Sequence, residues 1–311
     1  MKIAEVVQKY WGGRAARYYD SISYLDDTKL TGALLGYLQK DKDGIILDCG
    51  TGTGSVASML TRSGYRRIIG IDINCDMLAV AQDKLAKSSV IFLRGDVLNL
   101  PIASESLDAV VSKWILWVMP SPEKVVAEMA RVTKPGGRVI AIESANHQQK
   151  EKEPLLRHIL SMPLRKGHHL LQSVRYRLPL NRTEEFWRDT ENRLPLYSLD
   201  KYVEVFRQQG LEFVTRTEVE EFGTLRAKLF FGGFKFSFIC GIKPGKIDGN
   251  KPASVQDKWP LSDLTGLLVC PSCRSKLIRD SADALKCTEC RIRYPYVDRI
   301  PHLLPPKERM L

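Results

Sequence analysis

No apolar run in the 311-residue sequence reaches the roughly 18–20 residues needed to cross a bilayer. The nearest stretch, from Leu229 to Ile242, is interrupted by Gly232, Gly233 and Lys235. Lys2 has no apolar segment behind it, so no secretory leader is expected and a cytoplasmic location follows. There is no internal repeat and no long low-complexity tract, which leaves one large domain plus a small one. Disulfide-framework density is missing too. Of seven cysteines, Cys49, Cys75 and Cys240 are scattered through apolar surroundings, and only Cys270, Cys273, Cys287 and Cys290 form Cys-x-x-Cys pairs. In a reducing compartment such pairs read as metal ligands before disulfides. Acidic residues are outnumbered 36 to 47, giving a formal charge of +11. That favours an anionic partner, such as nucleic acid, an acidic protein patch, or a carboxylate or phosphate on a small substrate, against solubility alone.

Residues 1–40 read as helices with a loop and carry Tyr10, Trp11, Tyr18 and Tyr19. From Gly44 onward strand and helix alternate. Arg67 to Ile73, Val90 to Leu93, Leu107 to Lys113 and Arg138 to Ile142 read as strands. Asp76 to Lys87 reads as a helix, and Ser121 caps another whose first residue is Pro122. Pro135-Gly136-Gly137 stops that helix. The alternation predicts an α/β fold, with a parallel sheet covered by helices on both faces. The pattern breaks over 146–196, where His147 to Arg182 is strongly basic. It resumes with a helix over Ser198 to Gln209 and strands over Leu211 to Thr217 and around Phe234, Phe236 and Phe238. Lys243 to Pro260 is rich in Pro, Gly, Lys and Asp and reads as a linker.

Asp48-Cys-Gly50-Thr51-Gly52-Thr-Gly54 follows the first strand and opens a helix. Glycines there let the backbone turn tightly and approach a ligand. Asp72 ends the next strand, at the spacing where nucleotide-binding folds place an acid on ribose hydroxyls. Asp96 follows the third strand. Carboxylate acceptors suit a neutral adenosine, whereas a dinucleotide wants a helix N-terminus for its pyrophosphate. The Gly-x-Gly-x-Gly spacing also lacks the Gly-x-Gly-x-x-Gly of nicotinamide dehydrogenases.

Together with Leu107-Asp-Ala-Val-Val111 and Lys134-Pro-Gly-Gly-Arg138, these residues resemble the class I methyltransferases that use S-adenosylmethionine (SAM). The resemblance covers roughly residues 10–240 and is nearest to the quinone-type C-methyltransferase branch, whose Tyr-Asp pair near the cofactor is matched by Tyr19-Asp20. It implies a Rossmann-like fold. Asp48, Gly50, Thr51, Gly52 and Gly54 would hold the methionine part of SAM, with Ser112 beside it. Asp72 and Ile73 would lie at the ribose, Asp96 at the adenine amino group, and Met77 and Val97 against the ring. On the acceptor side stand Ser112-Lys-Trp114-Ile-Leu-Trp117. Neither an Asn-Pro-Pro-Tyr or Asp-Pro-Pro-Tyr sequence nor a cysteine for cytosine chemistry occurs there, which argues against two nucleic-acid subclasses. Aromatic residues suit an apolar or flat acceptor, or a dry wall around the sulfonium, and are equally compatible with plain core packing. Methyl transfer often needs only alignment and desolvation, so no catalytic residue is required. Trp114, His168 and His169 are the candidates, the histidines only if the basic segment folds over the site.

Cys270-Pro-Ser-Cys273 and Cys287-Thr-Glu-Cys290, thirteen residues apart, suit tetrahedral zinc. The metal would supply folding energy to a segment with little core of its own. Leu267-Leu-Val-Cys-Pro-Ser-Cys273, Leu285-Lys-Cys287 and Tyr294-Pro-Tyr-Val-Asp-Arg-Ile-Pro301 resemble the zinc-ribbon family that activates methyltransferases of the translation apparatus. In that family the ribbon is a separate subunit. Arg299 departs from it, standing where glycine is usual.

The expected organisation is a methyltransferase domain over 1–242 with a basic insert or lid at 146–196, a linker at 243–260, and a zinc ribbon over 261–311. The expected activity is methyl transfer from SAM to a small or modest-sized, anionic acceptor, with the ribbon structural or activating. The alternatives are a methyltransferase acting on RNA or a protein of the translation apparatus, and a non-catalytic SAM-binding regulator. From its excess of apolar residues the ribbon is expected to dock on the larger domain.

Overall fold

The computed structural model describes residues 3–22, 28–144, 170–171, 174–178, 182–190, 194–195, 197–221, 234–245, 264 and 266–306. Helices α1 (Ile3–Trp11), α2 (Arg14–Ile22) and α3 (Thr28–Tyr37) come first. Strand β1 (Ile45–Cys49) is a short apolar run, buried along its length after Ile45. It leads through the glycine loop into α4 (Ser55–Arg62). Then follow β2 (Arg67–Asp72), α5 (Cys75–Lys84), β3 (Ile91–Gly95), β4 (Leu107–Lys113), α6 (Pro122–Val132) and β5 (Thr133–Ser144). Helix α7 (Arg182–Thr190), α8 (Leu199–Gln208), β6 (Glu212–Glu221) and β7 (Phe234–Ile242) follow, and then β8 (Leu277–Ser281), β9 (Ala284–Cys287), β10 (Arg293–Val297) and β11 (Ile300–Leu303).

Local chemistry accounts for these boundaries. Asn74 caps α5, its side chain accepting from the amides of Asp76 at 2.9 Å and Met77 at 3.1 Å. Helix α6 buries Val125, Val126 and Met129 and starts at Pro122, but Ser121 contributes only its backbone, since no side-chain cap bond forms. The Pro135-Gly136-Gly137 stop lies within β5, which begins at Thr133. A register shift between Leu107 and Ala109 on the neighbouring strand absorbs it, with Gly136 in the left-handed region at φ 74.

The strand order is β6-β7-β5-β4-β1-β2-β3-β11-β10-β9-β8. Strands β3, β2, β1, β4 and β5 are mutually parallel. The expected parallel sheet is thus its central part only. β7 runs antiparallel to both β5 and β6, because the last two strands return as a hairpin-like edge. Helices cover both faces, as the alternation predicts. Leu30, Leu34, Val56 and Leu60 of α3 and α4 pack on one face. Val125, Met129, Val205 and Phe206 of α6 and α8 pack on the other.

The C-terminal strands β8 to β11 extend this sheet. His302 and Leu303 of β11 pair in parallel with Arg94 and Gly95 of β3. The amide of Val269 donates to Pro101 O at 3.0 Å and that of Ala103 to Leu267 O at 2.8 Å. Arg274 forms an ion pair with Glu128 at 3.0 Å. Leu268 and Leu303 are buried in the same cluster as Leu100 and Ile102, while Ile300 packs with Leu78, Ala81 and Phe92. The two cores are continuous, which answers the docking expectation. Of the linker only Lys243 to Gly245 is described.

Candidate cofactor crevice and metal centre

The chain leaves β1 toward β2 and β3 on one side, then returns to place β4 and β5 on the other. In open α/β sheets such a reversal opens a crevice beyond the carboxyl ends of the strands, where ligands bind. The sequence-predicted residues gather along it. Gly50 and Thr51 both donate their amides to Ile71 O at 2.9 Å, and Gly54 donates to Thr51 O at 2.8 Å. Gly50 has φ 72, and a Cβ there would fall 2.2 Å from Ile115 Cδ1, so the turn favours glycine. Asp48 is buried beneath the loop and accepts from Thr51 Oγ1 at 2.6 Å and Ala57 N at 3.0 Å. Burial raises its carboxyl to about 6, against those two hydrogen bonds. Asp72 accepts from Gly52 N at 2.9 Å and Asn74 N at 2.9 Å, and burial raises its carboxyl as well. Asp96, also raised by burial, accepts from Leu98 N at 2.9 Å. Met77 and Val97 are both buried. The Ile73 carbonyl accepts from Arg94 Nε at 3.1 Å.

On the far side of β1, the hydroxyl of Ser112 is buried with no partner among the described residues. An orphaned hydroxyl and a row of carboxylates, which can each accept further hydrogen bonds, are what an adenosine and amino-acid ligand would complete. The residues present therefore fit SAM.

Helices α1 and α2 stand over one end of the crevice. Asp76 accepts from Gln8 Nε2 at 3.0 Å and Gly13 N at 2.6 Å, and Asp20 pairs with Lys84. This brings Tyr19 to Trp11, with ring centroids 6.2 Å apart. Trp11 in turn meets Trp117 at 6.3 Å and Phe186 at 5.2 Å. The two tryptophans after β4 part company. Trp117 joins this aromatic wall, whereas Trp114 stacks on Phe236 at 5.4 Å on the opposite face of the sheet. Trp114 also holds φ 59, a strained conformation for a bulky residue. His168 and His169 lie outside the described residues, as does most of the expected basic insert at 146–196, of which 170–171, 174–178, 182–190 and 194–195 are described.

Glu143, near the end of β5, was not anticipated from sequence. It is buried, accepts from Leu116 N at 2.9 Å, and burial raises its carboxyl to about 8. It anchors the segment that carries Trp114 and Trp117. Its only sequence signal is a carboxylate ending an otherwise apolar strand.

The Sγ atoms of Cys270, Cys273, Cys287 and Cys290 all lie within 4.8 Å of one another. Cys270 and Cys290 are 3.5 Å apart and Cys273 and Cys287 3.4 Å, far beyond a disulfide at about 2.05 Å. Zinc–sulfur bonds of about 2.3 Å in a tetrahedron separate sulfurs by ~3.8 Å, so the four thiols fit such an ion. Tyr294 lies with its hydroxyl 3.0 Å from Cys270 Sγ, where it can orient that sulfur.

A family model described as "Methyltransferase domain" matches residues 47–141. The chain is 43% identical over 101 residues to a demethylmenaquinone methyltransferase from Desulfitobacterium hafniense (strain Y51), covering 31% of this chain and 40% of that protein. It is 35% identical over 118 residues to a phosphatidylethanolamine N-methyltransferase from Cereibacter sphaeroides, covering 37% and 56% respectively. The matched stretch is thus about half the length of these curated relatives. A chain in the complex of the Haloferax volcanii Trm112 methyltransferase activator with a methyltransferase superposes with a TM-score of 0.52 at 19% identity, covering 78% of this chain and 99% of that one. At that identity the likeness shows the fold. Among the described residues no helix is long and apolar enough to cross a membrane.

Proposed function

We propose that this protein transfers a methyl group from SAM to a small or modest-sized acceptor. The observation that carries the reading is the row of acids, buried Asp48 and half-buried Asp72 and Asp96, at the ends of three adjacent strands around a glycine loop. Asp72 would accept from the ribose hydroxyls, Asp96 from the adenine amine, and the 50–54 loop would seat the methionine chain. Bound SAM supplies an electrophilic methyl on a sulfonium whose sulfur leaves as a neutral thioether. The chain itself orients and dries the site: Glu143 fixes the segment after β4, and Trp11, Trp117 and Phe186 exclude water. No general base is assigned. The matched relatives are named for a quinone precursor and a phospholipid amine, and the aromatic wall suits an apolar or flat acceptor of the first kind. A net charge of +11 supports an anionic group on that acceptor. Incubating the full chain with SAM and a panel of quinol, amine and carboxylate acceptors should give S-adenosylhomocysteine with at least one. SAM binding without turnover across the panel would favour a regulator instead.

One observation favours a second reading, in which RNA or a protein of the translation apparatus is the acceptor. The ribbon adds a strand to β3, and the chain shares its fold with a methyltransferase found with an activator. Binding of RNA that weakens steeply with salt would support it.

A further inference from the structure

Lys113 has no part in the cofactor set above. It ends β4, the strand next to β1 on the side away from β2 and β3. Side chains alternate along β4. Ser112 faces the α6 side, whereas Lys113 faces the α4 side with Ala109 and Val111. Its Nζ reaches Ser55 Oγ at 3.2 Å, at the first turn of α4 directly after the glycine loop. It lies 4.9 Å over the ring of Trp114 and 5.9 Å over that of Phe236, two walls that fix the ammonium laterally. Its positive charge also reaches Asp48 under the loop, which is already engaged by Thr51 and Ala57.

The order of strands gives the direction of the ligand. The adenine acid follows β3 and the ribose acid ends β2, so a ligand laid across the crevice runs from β3 through β2 and β1 toward β4. Its amino-acid end therefore reaches β4, where the strand terminates in a cation. We propose that Lys113 binds the carboxylate of the cofactor's methionine moiety, with Ser55 Oγ as its neighbour. This rests on the cofactor reading above and adds a residue that reads the amino-acid part of the ligand. A charge-assisted contact of this kind raises affinity about 10–100-fold. It also selects against adenosine thioethers that lack the carboxylate.

The test is calorimetric titration of the full chain and its Lys113→Met variant with S-adenosylhomocysteine and with methylthioadenosine, which lacks the amino-acid group. The expected result is a loss of roughly 10–100-fold for S-adenosylhomocysteine in the variant with little change for methylthioadenosine, and recovery in Lys113→Arg. Unchanged S-adenosylhomocysteine affinity, or equal loss for both ligands, would overturn the assignment while leaving the cofactor reading intact. Failure of the unaltered protein to bind either ligand would overturn the cofactor reading and the assignment with it. A ligand-side measurement covers a variant that does not fold. An analogue of S-adenosylhomocysteine lacking only the carboxylate should bind the unaltered protein at least about tenfold more weakly, and equal binding would refute the role of Lys113.

Discussion

The backbone N–H of Gly52 donates to Asp72 Oδ2 at 2.9 Å, tying the end of β2 to the loop after β1. A single carboxylate thereby shapes the glycine loop and faces the crevice that the loop lines. Its other oxygen accepts from Asn74 N at the cap of α5. Removing this carboxylate disturbs the ligand site and its frame together.

Glu143 should make stability pH-dependent. Burial raises its carboxyl from the ordinary 4.5 to about 8. Between those values the folded chain keeps a proton that the unfolded chain has released. Its contribution is therefore fully present below about 4.5 and is lost as pH rises through about 8. Glu143→Gln keeps an acceptor for Leu116 N without the titration. Denaturant melts at pH 5 and pH 8 should show the unaltered protein losing stability relative to the variant at the higher pH. A constant difference would contradict the assignment.

The purified protein should carry about one zinc per chain on four thiolates. Chelation should lower its melting temperature, because binding free energy of such sites is folding free energy. Elemental analysis and a melt with chelator check this. A metal-free protein with Cys270 and Cys273 disulfide-bonded under reducing conditions would refute it.

Arg299 occupies a left-handed position, φ 67, in the two-residue turn between Val297 and Ile300. A non-glycine residue pays about 1–2 kcal/mol for that conformation. After the extra entropy of an unfolded glycine, Arg299→Gly should stabilise by about 0.5–1 kcal/mol. A denaturant titration showing a lower midpoint in the variant would mean that the Arg299 side chain matters more than its backbone.

Deleting 261–311 should uncover the edge of β3 and the side chains of Leu100 and Ile102. Each large apolar side chain left unburied costs on the order of 1.5–3 kcal/mol, and a bare strand edge invites aggregation. The truncated chain should melt lower and be less soluble than the full chain. Equal melting temperatures would mean that the ribbon merely rests there.

Much of this architecture is legible from residue patterns. Strand–helix alternation and the Asp48 to Gly54 loop give the central sheet, because burial on both faces leaves apolar runs and a tight turn needs glycine. The Cys-x-x-Cys pairs give the four-cysteine cluster. What escapes is non-local. Nothing in Ile300 to Leu303 announces that it pairs with β3, 200 residues away in sequence, since any short apolar strand can extend an edge. Trp114 and Trp117 look equivalent in sequence, yet the left-handed residue at Trp114 turns them to opposite faces. Asn74, which the pattern does not single out, caps α5, and Ser121 marks a helix start without capping it through its side chain. Lys113 and Glu143 are single residues whose roles appear only once neighbouring strands place them at the crevice.

The central claim is that the crevice binds SAM, and calorimetry of the full chain with S-adenosylhomocysteine tests it most directly. The account predicts one site per chain, with affinity reduced in Asp72→Ala by the ~1–3 kcal/mol of a lost carboxylate acceptor. Absence of binding, or unchanged affinity in a folded Asp72→Ala variant, would contradict it.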